Sequence, residues 1–158
     1  MQLTAARLFS RPMKFVFAAL VAALMFAATS AYAFFADRDS PVGYWRTIDD
    51  ETGEAKSIVK IYERDGKYYG RVDKLLLKPG ALCTACEGED KDQPIEGMVV
   101  MWGMEQDDDE WSGGKIFDPE KAKTYRCKIW LEDEGAKLKV RGYLGPFFRT
   151  QTWHRQTK

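Results

Sequence analysis

The chain has 158 residues, 24 basic and 24 acidic side chains and one histidine, so its formal net charge is zero. Residues 1–33 contain three bases and no acid, which leaves 21 bases against 24 acids in the remainder. Nucleic-acid-binding domains usually carry a strong basic excess, so this balance excludes that class and no nucleic-acid partner is predicted. A hydrophobic content of 45% and an aromatic content of 13% exclude a disordered chain.

The N-terminal segment has the three-part pattern of a secretory signal peptide. Lys14 precedes an uninterrupted apolar run over residues 15–28, and Ala31 and Ala33 are the small residues that signal peptidase reads. We therefore predict a signal peptide helix over residues 1–33. A retained membrane anchor is the alternative, because a membrane span needs about 20 apolar residues.

Cleavage after Ala33 leaves 125 of the 158 residues, which is the size of one domain. We expect a short linker over residues 34–40 and a folded domain over residues 41–158. Met1 and Met13 are equally good translation starts. The short, base-flanked signal is typical of bacterial export, so the predicted location is the periplasm, with secretion beyond it left open. Membrane contact is expected only transiently, through the signal peptide.

The rest of the chain consists of short β-prone segments separated by turn signals, without an amphipathic helical stretch. Eight strands are predicted, over residues 43–47, 57–63, 68–77, 97–104, 111–117, 124–132, 137–143 and 149–155. Such regular spacing predicts an antiparallel sandwich or barrel, and hairpin-length connections favour a meander. We predict an all-β fold, an antiparallel eight-stranded meander closed into a barrel, because closure removes exposed strand edges.

The two ends of the predicted barrel carry a matching pair of residues. Gly43-Tyr44-Trp45 opens the first strand and Arg155 ends the last. First and last strands are neighbours in a closed barrel, so the guanidinium can stack on the indole, a contact that stabilises by about 0.5–2 kcal/mol. A Gly-x-Trp motif with a C-terminal arginine resembles the lipocalin and calycin barrels. We predict that Trp45 and Arg155 form a structural clamp at one end of the barrel.

The chain resembles, over about residues 41–155, the exported and uncharacterised bacterial family DUF2147. The resemblance is carried by PVGYWRTIDDETGEAKSIVKIYE, by Gly97 and the strand after it, by WSGGKIFDP, by TYRCKIWL, by LKVRGYLG and by RTQTWHR, in that order along the chain. It implies a small periplasmic, lipocalin/calycin-like barrel. It brings no established activity, catalytic residue, cofactor or agreed ligand.

The three cysteines allow two disulfide arrangements in an oxidising compartment. In the preferred one, Cys83 or Cys86 pairs with Cys127 and closes a loop of about 40 residues, which stabilises by about 4 kcal/mol. In the other, Cys83 pairs with Cys86, and Cys127 is a buried thiol. Thiol redox activity is disfavoured because the segment around Cys83 is acidic. No metal site is predicted, since His154 is the sole nitrogen candidate beside the cysteines.

No catalytic constellation is evident, so we predict that the protein is not an enzyme and needs no cofactor. A barrel of eight strands is either filled by side chains or holds one small ligand. The predicted function is binding of a small apolar ligand or support of the cell envelope, with that ligand or an envelope protein as partner. The alternative is a non-catalytic structural or protein-interaction domain with a filled barrel. The candidate lining residues are Tyr62, Tyr69, Trp102 and Phe117.

Overall fold

The structure is a computed structural model that describes residues 38–157. In that range the chain forms nine strands and one 3-10 helix, Gly88–Asp90. The strands are β1 Gly43–Ile48, β2 Ala55–Arg64, β3 Lys67–Leu75, β4 Val99–Asp107, β5 Glu110–Ser112, β6 Lys115–Asp118, β7 Lys123–Glu132, β8 Lys137–Leu144 and β9 Phe147–Gln156. The predicted signal peptide and its cleavage site lie outside the described residues. Between residues 38 and 157 no helix has the length and apolar character of a membrane span.

The strands form one closed antiparallel meander. The sheet order is β3-β2-β1-β9-β8-β7-β5-β4-β6, and an additional pairing of β3 with β4 closes the ring. Both β5 and β6 lie between β4 and β7, so the nine strands occupy eight positions around the barrel. The predicted eight-stranded closed barrel is therefore confirmed, and its first and last strands, β1 and β9, are neighbours.

One predicted strand, over residues 111–117, is broken in two. Gly113 has φ +77°, a left-handed conformation that favours glycine. A Cβ at Gly114 would lie 2.5 Å from Trp102 O and 2.8 Å from Met104 N, so no larger residue fits there. The two glycines let the backbone approach β4 closely, and the break separates β5 from β6.

The barrel interior contains two hydrophobic clusters. Because side chains alternate between the two faces of a strand, every second residue points inward. The main cluster consists of Trp45, Val59, Ile61, Met101, Met104, Trp111, Cys127, Ile129, Leu138, Val140 and Trp153. The second consists of Val72, Leu75, Cys83, Cys86, Ile95 and Val100. It packs the connection of residues 76–98, which we call the long loop, against the end of the barrel where β3 ends and β4 begins.

Candidate functional site

A cavity of about 420 Å³ lies inside the barrel and opens at one end. Its mouth is formed where β1, β3, β6 and β8 end and where β2, β4, β7 and β9 begin. The apolar part of its wall includes Val59, Val72, Leu75, Ile95, Val100, Ile116, Phe117, Val140 and Trp153. Pockets that hold small molecules have volumes of about 300–1,000 Å³, and this cavity falls in that range. The barrel is therefore not completely filled by its own side chains.

Two pairs of polar residues in the wall are hydrogen-bonded within each pair. Thr47 and Ser57 are buried, and their hydroxyl oxygens lie 2.8 Å apart across the β1–β2 pair. The Ser57 backbone N–H also donates to Thr47 Oγ1 at 3.1 Å. The Gln151 side-chain carbonyl accepts a bond from Trp153 Nε1 at 3.3 Å. Since these groups already have partners, the interior suits an apolar ligand better than a polar one.

One side of the mouth is charged. Lys56 at the start of β2 donates a hydrogen bond to Glu120 in the β6–β7 turn. Lys78 Nζ in the long loop lies 3.3 Å from Glu120 Oε1, and Lys56 Nζ lies 3.5 Å from Asp49 Oδ2. These ion pairs join β2, the long loop and the β6–β7 turn around the opening.

The ion pairs shift two pKa values in opposite directions. Partial burial works to lower the pKa of Lys56, but the hydrogen bond and the charge of Glu120, with Asp49, outweigh it and raise that pKa. The hydrogen bond from Lys56 lowers the pKa of Glu120, against a smaller opposing effect of burial. Both groups are therefore ionised at neutral pH.

The β8–β9 side of the mouth carries three exposed apolar side chains. The turn between β8 and β9 carries Leu144, Phe147 and Phe148, whose exposed fractions are 52%, 75% and 61%. Leu144 and Phe147 are direct partners in the hairpin, and all three residues also border the cavity. We call the side with Lys56, Lys78 and Glu120 the charged rim. The β8–β9 side combines these exposed apolar side chains with the Arg149–Asp50 ion pair.

The other end of the barrel is closed by Arg155. Its Nε donates to Gly135 O at 2.6 Å, its Nη2 to Ser40 O at 2.7 Å and its Nη1 to Val42 O at 3.0 Å. Its Cζ lies 4.3 Å from the centroid of the Trp45 ring, within the range of a cation–π contact. The guanidinium thereby connects the N-terminal segment, the β7–β8 turn and the first and last strands.

Gly43 explains the Gly-x-Trp spacing of the clamp. A Cβ at this position would lie 3.1 Å from Arg155 Nη1. The φ of Gly43 is +140°, a backbone conformation that residues with a side chain rarely adopt. Two residues later, Trp45 is fully buried and its Nε1 donates to Pro41 O at 2.8 Å. Gly43 leaves space for the guanidinium, and Trp45 supplies the surface on which it stacks.

Of the four candidate lining residues, the structure places Phe117 in the cavity wall and the other three elsewhere. Tyr62 and Tyr69 stack on each other with ring centroids 5.7 Å apart, and the Arg64 guanidinium lies 4.7 Å above Tyr69. Trp102 lies on β4 opposite Lys115 of β6. Each of the three follows or precedes a buried, inward-facing residue, so strand alternation turns its side chain outward.

Most residues of the cavity wall were not among the predicted ones, because the candidates were large aromatic residues and the wall is mainly aliphatic. Strand alternation would have found Val59, which lies in phase with the buried Ser57 and Ile61 of β2. It would not have found Val100, because β4 buries the consecutive residues Val100 and Met101. No local signal marks Lys56 or Glu120, which are 64 residues apart and meet only at the mouth.

The cysteine pairing differs from the preferred prediction. Cys83 and Cys86 form a disulfide within the long loop, with Cα atoms 5.3 Å apart, and Cys127 is a free, buried thiol. The predicted bridge to Cys127 is wrong because Cys127 belongs to the main cluster, whereas Cys83 and Cys86 pack in the second one. Burial raises the pKa of Cys127 to about 12, so its thiolate is scarce at neutral pH. No group of three potential metal ligands occurs among residues 38–157.

Comparison with known proteins agrees with this architecture. The profile of a bacterial family described as "Uncharacterized protein conserved in bacteria (DUF2147)" matches residues 43–155. The solved structure of protein HP1028 from Helicobacter pylori, described as belonging to the lipocalin family, superimposes with a TM-score of 0.67 at 18% sequence identity. The match covers 75% of this chain and 84% of HP1028, and at this identity it shows the fold alone. Among curated proteins no match was found. The chain belongs to the DUF2147 family, and its described domain is a lipocalin-like barrel.

Proposed function

We propose that the barrel binds one small, largely apolar molecule in its cavity. The observation that carries the proposal is an open cavity of about 420 Å³ whose wall is mainly aliphatic and aromatic. Burial of apolar surface against such a wall contributes about 25 cal/mol per Å², which is the main driving force available here. A structural domain with a filled barrel would leave no such space.

The two sides of the mouth suggest the shape of the ligand. A polar group at one end of the molecule would reach Lys56, Lys78 and Glu120, while the rest of it lies between the aliphatic side chains of the interior. Because the hydroxyls of Thr47 and Ser57 bond to each other, a second polar group deep in the ligand would find few free partners. The ligand we propose is therefore apolar over most of its length.

We also propose that the protein is exported to the periplasm and acts without catalysis. Support for export comes from the signal-peptide pattern of residues 1–33 and from the Cys83–Cys86 disulfide, since disulfides persist in oxidising compartments. Support for a binding role comes from the cavity wall. The two buried hydroxyls of this wall, Thr47 and Ser57, hydrogen-bond to each other rather than to a carboxylate or an imidazole.

Two adjacent valines provide a matched test of the cavity. Val100 is 5% exposed and lines the cavity, whereas Val99 is 40% exposed and points the other way. We expect Val100→Phe to fill the cavity and Val99→Phe to leave it unchanged. Titration with the apolar fluorophore N-phenyl-1-naphthylamine measures the difference, and thermal unfolding checks that both variants are folded.

The wild-type protein and Val99→Phe should bind the fluorophore alike, and Val100→Phe should bind it about tenfold more weakly or worse, a loss of at least about 1.4 kcal/mol. Native mass spectrometry of protein purified from the periplasm should in addition reveal a co-purified small molecule. Equal affinities of the two folded variants, or no fluorophore binding by the wild type, would contradict the proposal.

A further inference from the structure

The exposed end of the β8–β9 hairpin continues into a basic, aromatic surface on the outside of the barrel. Outward positions of β7 and β8 alternate with the buried Cys127, Ile129, Leu138 and Val140. We call the surface at this end of the hairpin the docking patch. It consists of Arg126, Arg141, Tyr143, Leu144, Phe147 and Phe148.

The two arginines of the docking patch stack on rings. The Arg141 Cζ lies 4.7 Å from the Phe148 ring centroid and 4.9 Å from that of Trp130. The Arg126 Cζ lies 6.0 Å from the Tyr143 ring centroid. Among the ion pairs formed within residues 38–157, none involves either arginine. No direct ion pair within this range therefore neutralises either guanidinium, and the acids that line a common pocket with Arg141 are Asp109 and Glu110.

This local charge contrasts with the rest of the domain. Residues 38–157 contain 20 bases and 23 acids, yet the docking patch contains two bases and no acid. Next to these charges, Phe147 and Phe148 are more than half exposed, which is unusual for large apolar side chains in contiguous positions. An exposed apolar tip flanked by cations matches the interface of a bilayer, where acyl chains lie beneath anionic headgroups.

A second copy of the chain fits the docking patch less well. A two-fold symmetric contact places the same patch on both subunits, so Arg126 and Arg141 would face their own counterparts. Like charges that approach each other in a partly desolvated interface are repelled. The charge of the patch thus favours a lipid surface over self-association.

We propose that the docking patch attaches the barrel to anionic phospholipid bilayers, with Leu144, Phe147 and Phe148 inserted among the headgroups. These three side chains also border the cavity, so attachment places the mouth against the lipid. In this position an apolar ligand could pass directly between the bilayer and the cavity. This transfer depends on the proposed ligand-binding function. The attachment itself does not depend on it.

Co-sedimentation with vesicles of phosphatidylethanolamine and phosphatidylglycerol tests the attachment, with phosphatidylcholine vesicles as the neutral comparison. The wild type should bind the anionic vesicles more tightly, and binding should weaken at high salt, which screens exposed charges. Phe147→Ser with Phe148→Ser, and Arg126→Gln with Arg141→Gln, should each weaken binding by about tenfold to thirtyfold. Arg71→Gln with Lys74→Gln removes two exposed bases from β3, on the opposite side of the barrel, and should bind like the wild type.

Failure of the wild type to bind anionic vesicles would overturn the inference. The inference would also be overturned if both docking-patch variants bound anionic vesicles as tightly as the wild type. A wild-type dimer in sedimentation velocity that is lost in the Phe147→Ser, Phe148→Ser variant would overturn it as well. Val100→Phe separates this inference from the proposed function. The Val100→Phe variant should bind vesicles like the wild type but bind the fluorophore weakly. If the wild type binds the fluorophore but no vesicles, the inference is wrong and the proposed function still stands.

Discussion

Trp45 and Arg155 face each other directly across the β1–β9 pair, at the seam where the first and last strands of the barrel meet. They are 110 residues apart in the chain, and the cation–π contact joins them inside the closed end. Because Arg155 also donates to three backbone carbonyls, one side chain satisfies the acceptors that this end of the barrel would otherwise leave partly buried and unpaired. The seam is thus stabilised by contacts that form only when the meander is complete.

We expect Arg155→Ala to destabilise the domain by about 2–4 kcal/mol. The substitution leaves the carbonyls of Ser40, Val42 and Gly135 without their donor, and each charge-assisted hydrogen bond contributes about 1.5–3 kcal/mol, with incomplete additivity. Arg155→Lys should recover only part of the loss, since an ammonium cannot reach three acceptors in a planar fork. Urea denaturation followed by tryptophan fluorescence measures both free energies of unfolding. A change below about 0.5 kcal/mol in Arg155→Ala, the range of ordinary surface substitutions, would contradict the clamp.

Glu120→Gln should weaken the charged rim in a pH-dependent manner. The folded protein lowers the pKa of Glu120 below its ordinary value of 4.5, so the ion pair stabilises above that value. This stability is lost as the pH falls through the folded pKa. At about pH 7 we expect a loss of about 0.5–1 kcal/mol in the variant, smaller at high salt because the pair is partly exposed. Well below pH 4.5 the wild type and the variant should converge.

The same pair has an alkaline limit. The pKa of Lys56 is raised above its ordinary value of 10.5, so its contribution is complete below that pH and is lost as the pH rises through the higher folded value. The difference between wild type and Glu120→Gln should therefore be flat from about pH 6 to pH 9. Urea midpoints of both proteins across this range test the expectation. If the difference between them changes with pH there, another titrating group controls the stability of the charged rim.

Alkylation should separate the three cysteines. Iodoacetamide reacts with the thiolate, and burial raises the pKa of Cys127 to about 12, so the native protein should remain unmodified at about pH 8. In urea without reductant, Cys127 should be alkylated, and Cys83 and Cys86 should stay protected as a disulfide. Peptide mass spectrometry identifies the labelled residue. Alkylation of Cys83 or Cys86 under these conditions would contradict the observed pairing.

Removal of the disulfide should have a limited effect on stability. A four-residue loop such as the one closed by Cys83 and Cys86 contributes about 2 kcal/mol through the entropy of the unfolded chain. Cys83→Ala with Cys86→Ala should therefore lower the unfolding free energy by about that amount. Cys127→Ala is the control variant: it removes a buried thiol from the main cluster and keeps the disulfide intact. A double variant as stable as the wild type would mean that packing alone holds the long loop.

The fold was predictable from the sequence because its signals are local. Alternation of apolar and polar residues defines β7 and β8 within single segments, as at Cys127 and Ile129. Asp65-Gly66 supplies a hairpin signal between β2 and β3, and φ is positive at both residues. Gly43 and Arg155 lie at the two ends of the strand series, where a closed ring brings them together. Each of these signals depends on a few neighbouring residues or on strand order.

Only the tertiary structure decided where the interior is filled and where it is empty. The cavity wall takes single side chains from many strands, such as Val72, Val100 and Val140, and their spacing depends on strand register. Tyr62 and Tyr69 pair across β2 and β3 and lie outside because each alternates with an inward-facing neighbour. The partner of Cys83 likewise depends on which cluster the long loop packs against. The alternation of residues and the order of the strands can be read from the sequence. The cavity, its rim and the disulfide depend on distances between remote residues, and strand register and packing set those distances.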